Sequence, residues 1–240
     1  MPSDELDDRA LDLVLEVEEQ LESNPLGALE IVEQAPPESA AHPEVQLARG
    51  RALVAAKGAK SARSLLEQLV AREPEFAEAR HVFALVLDEL GEHEAAVREL
   101  LMVRRLDQVS DEAEGFDLTA AEGPIIETAE RVVAGLPDRF KKLLDGVPIL
   151  VEERPSEGLV REGFDPRSLG MFSGPDHEAR TSPAVIPAPT QIVLYAANLA
   201  AFADPSDAEE LEREVEITVL HEIGHYFGLD EDELEALGLG

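Results

Sequence analysis

Two histidines and a glutamate stand close together near the end of the chain, in Thr218-Val-Leu-His-Glu-Ile-Gly-His-Tyr-Phe-Gly228. On a helix, His221 and His225 lie one turn apart on one face, so both imidazoles can reach one metal ion. Glu222 is rotated about 100° from His221, away from an easy ligand position. It is placed instead to take a proton from a water that the metal activates. Gly224 lets another backbone or the substrate approach closely, and Gly228 suits the left-handed residue that stops a helix. The chain then turns back through Asp230-Glu231-Asp232-Glu233, any of which can bring a carboxylate to the metal. The chemistry this pattern offers is metal-assisted hydrolysis.

The elements around it follow from the same chain. Upstream, Leu211, Val215, Thr218 and Val219 recur at helical spacing. Pro205 marks a turn, Ser206 is a suitable N-cap and Glu209 completes a capping box. Val147–Glu152, Leu169–Phe172 and Gln191–Tyr195 are strand-like runs, with Pro148 placing the first at a sheet edge or terminus. Pro124 and Gly135 frame a helix, Leu136–Asp145 forms a second, and Asn198–Phe202 begins a short third. Charged, Pro- and Gly-rich residues make Arg154–Ser168 a loop. Four prolines make Ser173–Thr190 a long loop over the site.

The first half has a period. Ala28, Ala62 and Ala96 stand 34 residues apart, as do Leu66 and Leu100. Gly50 and Ala84 hold early small-residue positions, Gly58 and Gly91 fall between paired helices, and Pro74 closes one unit. Small residues let two helices approach while leucines fill the seam. Stacked hairpins of this kind leave a concave groove. The units Pro43–Phe76 and Ala77–Ser110 keep the pattern best, and Arg9–His42 keeps mainly Ala28. These residues resemble the tetratricopeptide repeat, which implies docking of a peptide or protein. His42, His81 and His93 read as surface or packing residues. Asp111–Gly115 reads as a polar linker, dividing the chain into residues 1–115 and 116–240.

Composition limits the partners. The 240 residues carry 20 Lys+Arg against 52 Asp+Glu, a formal charge of −32. Such a chain repels nucleic acid and anionic membrane surfaces and attracts basic partners. There is no cysteine, so no disulfide framework exists and a metal site must use histidine and carboxylate. The acidic start lacks the apolar core of a signal peptide and no apolar run has membrane length, from which a cytoplasmic protein is expected.

The ordered series Leu136-Pro-Asp, Val147-Pro, Leu169-Gly-Met-Phe, Ile192-Val-Leu-Tyr with Asn198-Leu199, and Thr218–Leu229 resembles the small bacterial zincin-like metallopeptidase family. The resemblance implies an α+β chain: all-α tetratricopeptide-like repeats, then a minimal zincin domain with a small mixed sheet and a metal-binding helix. It implies Zn2+ held by His221 and His225, with Glu222 as general base. The family's third ligand falls three residues after the glycine and is usually aspartate. That position here is Glu231, with Asp230 and Asp232 as alternatives in that order. No methionine follows Met171, so the Met-turn of larger relatives is absent. Related zincins lay substrate along an edge strand, for which Leu169–Phe172 is the candidate. Tyr195 or Tyr226 could steady an oxyanion, and His177 could line the site. The expected function is zinc-dependent peptide hydrolysis on a substrate recruited by the repeats. The alternative is a non-catalytic adaptor with a vestigial metal-binding domain.

Overall fold

The computed structural model describes residues 8–175, 177, 189–203 and 208–239. The expected cap at Ser206 and most of the loop Ser173–Thr190 lie outside the described residues. The chain divides into two compact units: Met1–Ser110 with Glu157–Phe164, and Asp111–Ser156 with Asp165–Gly240. The chain is an α+β protein, with every strand among the described residues in the second unit.

Described residues up to Ser110 form helices and turns alone. They give α1 (Asp8–Gln20), α2 (Pro25–Glu33), α3 (Pro37–Ala40), α4 (Pro43–Lys57), α5 (Ala59–Arg72), α6 (Ala77–Glu89) and the start of α7 (His93–Glu114). α1 packs on α2, α2 on α4, α4 on α5 and α5 on α6, consistent with hairpin repeats. The evenly spaced alanines Ala28, Ala62 and Ala96 are buried at the helix contacts, as their size requires. Leu66 is fully buried against the same core as Leu69, Phe83 and Leu87. A Cβ on Gly50 would stand 2.7 Å from Leu66 Cδ2, so the small residue makes room for the leucine. His42 caps α4 by accepting from Glu44 N–H at 3.3 Å, and His93 pairs with Asp88 at 2.6 Å. The short helix α10 (Glu157–Arg161) belongs to this unit, where its fully buried Val160 clusters with Ala84 and Leu100.

Two sequence expectations are corrected here. Asp111–Gly115 is not a linker: α7 continues to Glu114 and stops at Gly115, whose φ is 78°. Phe116 N–H closes that end on Asp111 C=O at 2.9 Å. Pro124 does not start its helix. α8 (Leu118–Gly135) begins six residues earlier, where the Asp117 carboxylate accepts from Thr119 N–H. Proline removes one backbone donor inside the helix. The cap and the burial of Ile125 and Ala129 offset that loss.

The second unit continues through α9 (Asp138–Leu143) to β1 (Ile149–Glu152), β2 (Gly170–Ser173) and β3 (Gln191–Tyr195). The sheet order is β1-β3-β2, with β1 parallel and β2 antiparallel to β3. Ile192-Val-Leu-Tyr195 is apolar on both faces and takes the fully buried central position. β1 follows Pro148 at one edge and alternates half-buried with exposed residues. The turn into α11 (Ala196–Phe202) leads on to the long helix α12 (Ala208–Tyr226) and then α13 (Glu231–Ala236). Val215, Val219, Ile223 and Tyr226 of α12 pack into one core with Ile125, Leu144, Ile192 and Leu194.

Leu66 fills the seam of the helical hairpins with no exposed surface. Leu66→Ala should therefore cost about 2–5 kcal/mol of unfolding free energy. Urea denaturation followed by helical circular dichroism measures it; a loss within the error of the parent value would contradict this packing.

Candidate metal centre and active site

The site is built by the way α12 ends. Gly228 has φ 84°, which a glycine adopts without strain. Leu229 N–H bonds Gly224 C=O at 3.1 Å and Gly228 N–H bonds His225 C=O at 3.0 Å, the two bonds of a Schellman turn. The chain reverses, and Asp230 opens α13 as its cap. Its carboxylate accepts from Glu233 N–H while Glu233 accepts from Asp230 N–H, each at 3.0 Å. Glu231 is thus the first helical residue of α13 and faces back to α12. Gly224 makes the return possible: a Cβ there would meet Leu234 Cδ2 at 2.3 Å, and Leu234 is fully buried.

Side-chain nitrogen and oxygen atoms of His221, His225 and Glu231 converge within 4.8 Å of one another. His221 Nε2 and His225 Nε2 are 2.9 Å apart, and Glu231 oxygens lie 3.6 and 3.3 Å from them. The other ring nitrogens are held by carbonyls. His221 Nδ1–H donates to Leu239 C=O at 2.6 Å, and His225 Nδ1–H to Leu229 C=O at 3.2 Å. Both imidazoles are thereby left with the Nε2 lone pair turned inward, the tautomer a metal requires. Two facing lone pairs at this distance repel unless a proton or a metal ion lies between them. Two imidazoles and one carboxylate are also the donor set that zinc accepts. Asp230 is occupied as a helix cap, and Asp232 is not among the converging residues.

Glu222 lies on the same turn but turns toward the sheet. It is 5% exposed. Burial pushes its carboxyl up from 4.5 to about 7, opposed by the charge of His221 and by a hydrogen bond from Phe172 N–H. Tyr195 N–H donates to Leu169 C=O, so Leu169 and Met171 bond β3 while Gly170 and Phe172 present their backbone to the edge of β2 away from β3. Glu222 sits against that edge. A Cβ on Gly170 would stand 3.0 Å from Glu222 Oε1 and 2.7 Å from Thr218 Cγ2. The absence of a side chain at Gly170 therefore lets β2 lie on the helix.

Other expected residues sit elsewhere. Tyr195 and Tyr226 are buried core aromatics. Tyr226 O–H donates to Leu143 C=O at 2.7 Å, and burial holds the Tyr195 phenol above its usual range. His177 packs edge-on against Tyr226 and Phe227, with Nδ1 3.3 Å from the Tyr226 hydroxyl. Sequence reasoning missed the two carbonyls that orient the histidines, which carry no side-chain signal. For Gly170 the signal was present, since a glycine opening an apolar strand is a sign of close backbone approach.

Residues 144–240 match the family described as zincin-like metallopeptidase. The match spans the three strands, α12 and α13. No curated protein matches the chain. Among the described residues, no helix is long and apolar enough to cross a membrane.

A buried acid whose folded pKa is raised costs stability once ionised. For Glu222 the metal-free fold should lose stability as pH rises from 4.5 to about 7. The loss is at most about 3.5 kcal/mol, counted at about 1.4 kcal/mol per pH unit. Glu222→Gln removes that cost. With a chelator present, its melting temperature relative to the parent should be higher at pH 8 than at pH 5. An equal difference at the two pH values would mean that the carboxylate is not desolvated.

Proposed function

We propose that this protein is a zinc-dependent peptidase whose second unit hydrolyses peptide bonds and whose helical hairpins dock the peptide or protein substrate. The observation that carries the reading is the convergence of two tautomer-fixed imidazoles and Glu231 on one point, with a buried glutamate one residue from the first histidine. His221 Nε2, His225 Nε2 and a Glu231 oxygen would hold the metal. Zinc bound there supplies a Lewis acid that acidifies water and polarises a carbonyl.

The chain's own groups supply the rest. Glu222 accepts the proton of the attacking water and passes it to the leaving nitrogen. Burial raises this carboxyl above its ordinary range, which makes it a stronger proton acceptor. The edge of β2 away from β3 carries backbone groups of Gly170 and the Phe172 C=O, with which an extended peptide can pair as an added strand. Phe172 N–H, now given to Glu222, lies on that edge, so the base and the peptide backbone meet at one place. For the first unit, the 34-residue period supports a docking role, and the net negative charge favours basic segments.

Zinc titration by calorimetry tests the ligand set. His221→Ala should abolish tight binding, and Glu231→Ala should weaken it at least about tenfold. Asp230→Ala should act mainly through the lost helix cap, worth about 1 kcal/mol. A larger loss for Asp230→Ala than for Glu231→Ala would reassign the carboxylate. Glu222→Gln should keep parental zinc content while hydrolysis of a mixed peptide library falls by about a hundredfold or more. A parent that holds stoichiometric zinc and cleaves nothing would favour the adaptor with a vestigial centre.

A further inference from the structure

Asn198, Arg154 and Asp111 form a buried polar chain that ends at β2. The Arg154 guanidinium donates through Nε and Nη2 to both oxygens of Asp111, and through Nη1 to Asn198 Oδ1. Arg154 is 8% exposed and Asn198 4%. Asn198 Nδ2 donates to Pro166 C=O at 2.9 Å and to Ser168 C=O at 2.6 Å. The amide orientation is therefore fixed by its surroundings: only oxygen can face the guanidinium, and only NH2 can face two carbonyls.

The placement of this chain matters. Ser168 is two residues before β2, and Tyr195 N–H on Leu169 C=O follows directly. β2 then carries Gly170 and Phe172 against Glu222. Among the described residues β2 pairs with a strand on one side, β3, so its position depends heavily on how its entry is held. A general base misplaced by about 1 Å can lose about a hundredfold in rate.

We infer that Asn198, oriented by the Arg154–Asp111 ion pair, is a positioning residue that holds the entry of β2 and so sets the strand against Glu222. The catalytic meaning of this rests on the peptidase reading. The clamp itself does not, since it concerns only where β2 lies.

Asn198→Asp is the informative substitution. It keeps the shape and the acceptor for Arg154, but removes both donors and sets a carboxylate against two carbonyls. Amide hydrogen exchange on the full chain, with a chelator present, should show residues 166–173 exchanging at least about tenfold faster, the effect of losing about 1.4 kcal/mol of local protection. Exchange in α4–α6 should be unchanged, as should that of the β3 amides that face β1, such as Ile192 N–H on Pro148 C=O. Arg154→Lys keeps the charge facing Asp111 but loses the planar third donor, and should loosen the same residues to a smaller extent. Zinc titration of Asn198→Asp should give the parental affinity within about threefold, because His221, His225 and Glu231 take no part in the clamp. If the parent cleaves peptides, kcat/KM of Asn198→Asp should fall at least about tenfold at unchanged zinc content. Parental exchange at 166–173, or faster exchange spread evenly through the second unit, overturns the inference whether or not the parent is active. A parent that binds no zinc, with exchange in Asn198→Asp faster only at 166–173 and at the β3 amides that pair with them, overturns the peptidase reading and leaves the clamp standing.

Discussion

The Schellman turn that closes α12 is the constraint on which the rest of the site depends. Its two backbone bonds fix where the helix ends, and Gly228 lets them form without strain. Everything that follows is geometry: a helix ending at that angle returns the next one across its own face, and Gly224 leaves the space in which Leu234 seats it. Glu231 reaches the two histidines for that reason. Its neighbour Asp230 is spent on starting α13. The choice among three adjacent carboxylates is thus made by a backbone turn and a cap, not by side-chain length.

Much of this was legible in the residues. The spacing of His221 and His225, the glycine that stops the helix, the buried run Ile192–Tyr195 and the 34-residue recurrence of alanine all act through local periodicity. Periodicity survives folding unchanged. The failures share a cause of the opposite kind. A polar Asp-Glu-Ala-Glu run looks like a linker because composition is blind to whether a preceding helix has ended. Pro124 looks like a helix start because the cap that precedes it, Asp117, is an ordinary surface residue in the sequence. The carbonyls of Leu229 and Leu239 are backbone partners of side chains, and the clamp joining Asp111, Arg154 and Asn198 links residues far apart along the chain. No pattern of side chains announces them.

The two halves of the candidate chemistry also differ in environment. The imidazoles and Glu231 are partly open to solvent, Glu231 with 75% of its side chain exposed. Glu222, on the same turn of helix, is enclosed by β2. One helix thereby holds a polar, accessible donor set and a desolvated acid side by side. Such a difference in surroundings separates the behaviour of groups that are chemically alike.

The same arrangement has a consequence for how the molecule assembles. His221, His225 and Glu231 lie within eleven consecutive residues. The helix, turn and cap that gather them use only short loops of chain, which close quickly. The enclosure of Glu222 instead needs Gly170 and Phe172, about fifty residues away in sequence, to be delivered by a completed sheet. A cation could therefore be captured by a nearly local hairpin early in folding, before the acid beside it is shut off from water. The donor set and the acid would then mature in sequence, the first on the timescale of helix formation and the second on that of strand pairing.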